Sequence, residues 1–313
     1  MPTPTPRASA ARGFPLVVAA ALCWGTSGVS GRIVADRTDL GPLDIAWHRM
    51  AIGAAVLLAA HLLTRRRRPA AVPLTRPVAV RVVLVAAGLA AYQLAYFAAV
   101  ASAGVSVATL VALGLAPLLI AVGAALLGHG RPDRPTLLAL AVALAGLGLL
   151  VGLTAGASTG TAVLLGALLA AGSALGYAAV TLASGDVPAG VPVTLAGFVG
   201  GALLLTPVAL AAGLRLTAEP VALATLLYLG TVPSAAAYAL FFRGLRTVPG
   251  AVAAIVTLLE PVTATALATA FLDERLPLGA LAGGLLVLGA VAGLYLRRLG
   301  VRSRPDVVTE PAG

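Results

Sequence analysis

Four ionisable side chains interrupt the long apolar stretches of this chain. They are His48 and Arg49 in "AWHRMAIG", His61 later in the same stretch, and Glu260 in "TLLEPVTATALATAF". A charged group at the centre of a bilayer costs about 2.5–3.5 kcal/mol, so it belongs where it faces a cavity, a substrate or an opposite charge. Glu260 can exchange a proton, meet a cationic group or pair with Arg49. Arg49 can meet a substrate carboxylate or lock two helices together, and both readings of the pair stay open. His61 stands just before the run Arg65–Arg68 and marks the end of its helix.

Pro261 follows Glu260 directly. Proline has no N–H and its ring clashes with the preceding turn, so the Thr257 carbonyl loses its helical partner and a kink is expected. Pro117 does the same to Leu113 in an earlier stretch, so two helices are expected to break. A loosened backbone at membrane depth is tolerated where it lines a cavity; the bland alternative is a packing kink. Trp24, Tyr92, Gln93, Tyr96, Tyr177 and Tyr238 supply a candidate lining, Tyr92 and Tyr96 sharing a face by their i, i+4 spacing. Such aromatics also form interfacial belts. Gly197/Gly201, Gly279/Gly283 and Gly289/Gly293 have the small-xxx-small spacing of close helix contacts, and the same spacing suits a homodimer.

These residues need elements to hold them. Of 313 residues, 60% are hydrophobic and 10% charged, far from the roughly 25% charged share of a soluble domain. Apolar runs of about 20 residues, long enough to cross a hydrocarbon core, recur near 14–35, 44–64, 79–99, 104–128, 135–153, 162–183, 192–213, 220–242, 249–271 and 277–296. The fold class is therefore all-α integral membrane with ten transmembrane helices, since runs this long alternate too poorly for barrel strands. Residues 14–23 do not read as a cleaved leader, because the apolar stretch runs on to about residue 35.

Arginine placement orients the helices. The 1–13 tail and every second loop hold sixteen arginines: Arg7, Arg12, Arg65 to Arg68, Arg76, Arg81, Arg131, Arg134, Arg243, Arg246, Arg297, Arg298, Arg302 and Arg304. The other loops hold four: Arg32, Arg37, Arg215 and Arg275. Basic residues stay inside, so both termini are expected in the cytoplasm and the protein in the plasma (inner) membrane. The net charge of +10 is explained by this placement, and no nucleic-acid partner is expected. The Arg65–Arg68 run also suits anionic lipid headgroups.

Residues 96–127 lie over 240–271, pairing Phe97 with Phe241 and Pro117 with Pro261. "CWGTSGVSG" lies over "ALGYAAVTL", pairing Gly25 with Gly176. The expected domains are a cytoplasmic tail 1–13, five helices in 14–153, five more in 162–296 and a cytoplasmic tail 297–313. An odd number of spans per repeat inverts the second repeat, the arrangement that supports alternating access.

Several of these segments resemble the drug/metabolite transporter superfamily, in its EamA-type ten-helix members. "LCWGTSGVSGRIV" is similar to the first-helix pattern through Trp24, Gly25, Ser27 and Arg32. "HRMAIGAAVLL" is similar to the second-helix pattern headed by Arg49. "LLEPVTATALATAFLDERL" is the most specific match, through Glu260, Pro261 and Glu274. The similarity covers nearly all of 14–296. One departure is "GHGRPDR", where Gly130 stands in the place of an acidic residue often found after the fourth helix. The resemblance implies a gradient-driven permease, often an exporter, of small metabolites such as amino acids or drugs. It also implies that Arg49 and Glu260 serve folding or gating more than selectivity.

HExxH, GxSxG and Walker patterns are missing, Cys23 is the single cysteine, and no metal-ligand spacing occurs, so neither enzyme chemistry nor a cofactor is expected. The reading is a secondary transporter of a small organic metabolite. An uptake carrier for a vitamin or metabolite, an intramembrane lipid-modifying enzyme and a non-transporting scaffold are the alternatives.

Overall fold

A computed structural model describes residues 6–64, 73, 75–152, 161–271 and 278–300. The described residues are helical without a strand, and ten helices are long and apolar enough to cross a membrane. We number them α1 (Gly13–Arg37), α2 (Pro42–Thr64), α3 (Arg76–Val105), α4 (Val107–Leu126), α5 (Arg134–Val151), α6 (Thr161–Gly185), α7 (Val193–Ala211), α8 (Pro220–Gly244), α9 (Gly250–Leu267) and α10 (Leu278–Arg297). The ten-helix expectation holds, with boundaries shifted by a few residues. Arg65 to Arg68, Glu274, Arg275 and the tail beyond 300 lie outside the described residues.

Polar loop residues set the helix starts. Glu219 precedes Pro220 and accepts from Ala222 N at 2.5 Å, capping α8. Asp133 accepts from Thr136 N at 3.1 Å and caps α5. Each carboxylate satisfies an amide that the first turn leaves without a partner. Between α3 and α4 the chain reverses at Gly104, whose φ of 80° is open to glycine at little cost, and the two helices fold back on each other so that Tyr96 Oη lies 2.8 Å from Thr109 Oγ1.

α6 lies along α3, α1 along α8, α2 against α7 and α5 against α10. Small residues permit the close crossings. A methyl group on Gly146 would meet the Gly283 carbonyl at 2.6 Å, and one on Gly197 would meet Val85 and Leu89 of α3. Gly201 likewise approaches Met50 and Ala86, so these sites mark contacts within one chain. Gly289 and Gly293 have no neighbour within 4 Å.

Loop contacts gather at two ends. At one end, Asp186 of the α6–α7 loop meets Arg81 at 3.7 Å and His129 at 3.3 Å, and Arg297 meets Asp133 at 2.6 Å. At the other, Arg215 donates to the Asp39 carbonyl at 2.9 Å and Arg37 approaches Glu219 at 3.8 Å. We call these the basic end and the far end. Successive loops alternate between them, as an unbroken series of spans requires.

Three helices are interrupted. α1 breaks at Thr26, whose hydroxyl and amide both donate to the Cys23 carbonyl, at 2.7 and 3.2 Å. α8 widens into a π-helical turn over Thr231–Ala236. There Pro233 cannot donate to Leu229, and Ser234 Oγ donates to that carbonyl instead at 2.7 Å. α9 divides into Gly250–Thr257 and Leu259–Phe271, Leu258 N tightening onto Ile255 O at 3.2 Å. This is the break expected from Pro261. The matching break at Pro117 does not occur: α4 runs through it. A proline's fixed φ is itself helical, so one lost hydrogen bond need not sever a helix unless a neighbour uses the freed backbone.

Candidate functional site

The α1 and α9 interruptions meet. Gly25, next to the α1 break, lies against α9 so closely that a methyl group there would sit 2.9 Å from the Glu260 carbonyl oxygen and 2.7 Å from Thr263 Cγ2. Only glycine lets the two backbones cross there. From the α8 turn, Ser234 Oγ accepts from Arg49 Nε at 3.3 Å while donating to Leu229 O. One hydroxyl thus orients Arg49 and repairs the helix that Pro233 opens.

Arg49 and Glu260 act on each other electrostatically. Among the described residues no ion pair within 4.0 Å joins them. The direct lock that their charges allow is not formed in this conformation. Glu260 lies deep among the helices and still keeps accessible surface, as do Tyr92, Tyr96 and Tyr177. A side chain at that depth keeps surface only where it borders a space wide enough for water.

Aromatic rings close one side of this space. The Trp24 ring lies 4.9 Å from Tyr238, 5.1 Å from Phe241 and 6.5 Å from Tyr177. Tyr177 stacks on Phe241 at 6.0 Å, and the Tyr92 and Tyr238 hydroxyls are hydrogen-bonded to each other. Offset and edge-on pairs of this kind hold a rigid apolar layer. At 1.5 Å per residue, Phe241 stands about 5 Å and Tyr177 about 12 Å from the basic ends of α8 and α6, against about 15 Å for Glu260 in α9. By the same measure Trp24 stands about 16 Å from the start of α1, so the rings lie beside Glu260 as well as on its basic side.

Helix packing is asymmetric about the α9 break. Ala251 through Leu259 are all buried, and Ala254 packs with Ile120 of α4 and Ala178 of α6. Beyond the break, Glu260 and Val262 to Thr265 are only partly buried. The basic end is sealed beside α9, and the far half is looser.

Trp24, Tyr92, Tyr177, Tyr238, Arg49 and Glu260 are brought to one neighbourhood, and Pro261 sits at its edge. Tyr96 also faces it, its hydroxyl 2.8 Å from Thr109 Oγ1. Gln93 turns to α2 instead, with Nε2 3.8 Å from Met50 Sδ. His48 donates through Nδ1 to the Asp44 carbonyl at 2.7 Å, within its own helix. Sequence reasoning missed Ser234, Thr26 and Phe241. Pro233 in "TVPSAAAY" carried the same signal as Pro261, and the serine after it supplied the means of repair. Three buried atoms in the cluster have no hydrogen-bond partner: Trp24 Nε1, Ser27 Oγ and Tyr177 Oη. The Thr257 and Thr181 hydroxyls lie near Tyr177, but each donates to a backbone carbonyl, at 2.8 and 2.9 Å.

The EamA-like transporter family matches this chain twice, over residues 11–152 and 161–296. The chain belongs to the EamA-like transporter family. A relative from Bacillus subtilis (strain 168), the "Uncharacterized transporter YwfM", is 32% identical over 276 residues, covering 87% of this chain and 90% of the relative. A solved structure named only "Crystal structure of protein" superposes with a TM-score of 0.77 at 22% identity, covering 93% of this chain and 99% of its own, and supports the fold. This EamA-like chain is a multi-pass membrane protein with a general role in transport.

Proposed function

We propose that the protein is a secondary transporter that exports a small organic metabolite across the plasma (inner) membrane by alternating access, with both termini in the cytoplasm. In this reading the basic end is cytoplasmic, in line with the arginine distribution. The two five-helix units are inverted copies that exchange conformations. The twofold family match and the pairing of α2 with α7 and α5 with α10 support that relation.

The observation that carries the reading is the placement of Glu260. It is a carboxylate beside the α1 and α9 interruptions, deep among the helices yet partly accessible, with a cluster of aromatic rings next to it. On this reading the conformer opens outward, Glu260 couples transport to protons or meets a cationic group, and Arg49 waits on Ser234. The substrate enters between them.

Sealed proteoliposomes test it. A pH gradient should drive solute flux in the wild type, and Glu260→Gln should abolish the pH-dependence because an amide cannot exchange the proton. Retained pH-dependence in Glu260→Gln removes the coupling role. The charge swap Arg49→Glu with Glu260→Arg should not restore flux if either side chain binds solute, whereas a purely structural pair tolerates the exchange.

A further inference from the structure

The basic end holds a second concavity that the transport reading leaves unused. It is a cavity of about 730 Å³ between the α4–α5 loop, the ends of α6 and α8, the start of α9 and the end of α10. That volume suits a small ligand, for which pockets of roughly 300–1,000 Å³ are usual. Its floor is apolar, formed by Leu182, Val248 and Val252, and its rim is charged.

The rim charges divide into two groups. Asp133 is taken by Arg297, and Asp186 by Arg81 and His129. Arg131 and Arg246 also line the cavity, from different loops, and among the described residues no hydrogen bond or ion pair engages either guanidinium. The positive-inside tendency requires arginines in these loops, but it does not require two of them to line one concave volume whose two carboxylates already have other partners. Two guanidiniums so placed repel each other, and a planar anion that accepts from both relieves the repulsion.

We propose that this cavity binds a small organic anion, its carboxylate or phosphate held by Arg131 and Arg246 and its apolar body against Leu182, Val248 and Val252. The cavity stops at the buried half of α9, so the bound anion sits against that packed segment. Only its place on the translocation path rests on the transporter reading. Binding itself needs no compartment.

Calorimetric titration of the full-length protein in phosphatidylcholine nanodiscs, at constant ionic strength, tests the proposal independently of transport. The probes are benzoate, inorganic phosphate and benzyl alcohol. Benzoate should bind saturably, phosphate more weakly for want of an apolar body, and benzyl alcohol not at all. The double variant Arg131→Gln with Arg246→Gln should weaken benzoate binding by about tenfold or more, whereas Arg131→Lys with Arg246→Lys should keep part of it. Arg215→Gln should leave it within about twofold, because Arg215 lies at the far end of the bundle. The proposal is overturned if wild-type protein binds no benzoate, if benzyl alcohol binds equally well, or if the glutamine pair binds as the wild type does. It is also overturned if arginine-dependent stabilisation is confined to discs containing phosphatidylglycerol, which would assign the guanidiniums to lipid headgroups. Should the glutamine pair fail to fold, the lysine pair and the benzoate–benzyl alcohol contrast decide the question on folded protein. Loss of flux in sealed vesicles with intact benzoate binding would count against the transport reading alone.

Discussion

Gly25 and Gly176 hold corresponding places in the two halves of the sequence, and they lean on different neighbours. Gly25 presses on α9 at Glu260, beside a helix break. Gly176 presses on α3, where a methyl group would sit 3.0 Å from Tyr92 Cβ and 3.1 Å from its amide nitrogen. Likewise Pro261 stands beside a divided helix and Pro117 inside an unbroken one. What separates them is the kind of neighbour: at Pro261 a bare glycine of α1 lies on the loosened backbone, whereas around Pro117 α4 packs with α5, α6 and α9 through side chains. Two similar sequences in one chain thus hold different shapes, which is what the proposed alternating-access cycle requires.

The comparison can be broken most directly at the prolines. Pro261→Ala restores the amide that the Thr257 carbonyl lacks and favours a straight α9 by about 3 kcal/mol. Solute flux in proteoliposomes should fall sharply with no loss of melting temperature, while Pro117→Ala should change flux little. Equal effects from the two would mean that the broken and unbroken helices are interchangeable.

The glycines give the next largest effect. Overpacking costs about 1–3 kcal/mol, and both Gly25→Ala and Gly176→Ala meet backbone atoms. If the α1–α9 crossing belongs to one conformer only, Gly25→Ala should lower flux more than stability. Gly176→Ala, at a contact along the whole α3–α6 interface, should lower the melting temperature first. Ser234→Ala should follow, at about 1–2 kcal/mol, since it leaves the Leu229 carbonyl and Arg49 Nε without their partner.

The smallest effect is at the sealed end. The Arg297 guanidinium and the neighbouring Thr136 hold the Asp133 carboxyl well below the usual carboxylate range. A depressed carboxyl stabilises the fold above its unfolded value and loses that contribution only as pH falls through the folded one. Both side chains are about half exposed, so Asp133→Asn should cost less than about 1 kcal/mol. The difference in melting temperature from the wild type should stay constant near neutral pH and vanish only in strong acid.

The ten spans were legible in the sequence, and Glu260, Arg49 and Pro261 stood out there because burying a charge or a proline in an apolar run is costly and therefore informative. The unbroken Pro117 was not. Pro15 and Pro207 also lie inside continuous helix, so a proline marks only an opportunity. Whether it becomes a break depends on what stands opposite, such as a hydroxyl like Ser234 or a bare glycine like Gly25. Those partners come from helices far away in sequence. Gln93 faces α2 for a related reason: one residue along a helix turns a side chain by about 100° from the direction Tyr92 takes.

The indole nitrogen of Trp24 and the hydroxyls of Ser27 and Tyr177 have a consequence for the cycle. Each forgone hydrogen bond leaves the present arrangement above its attainable minimum by about 1–3 kcal/mol. Any solute or helix shift that supplies acceptors to these three atoms therefore moves downhill. If the protein alternates as proposed, a solute that supplies those acceptors stabilises the conformation it creates.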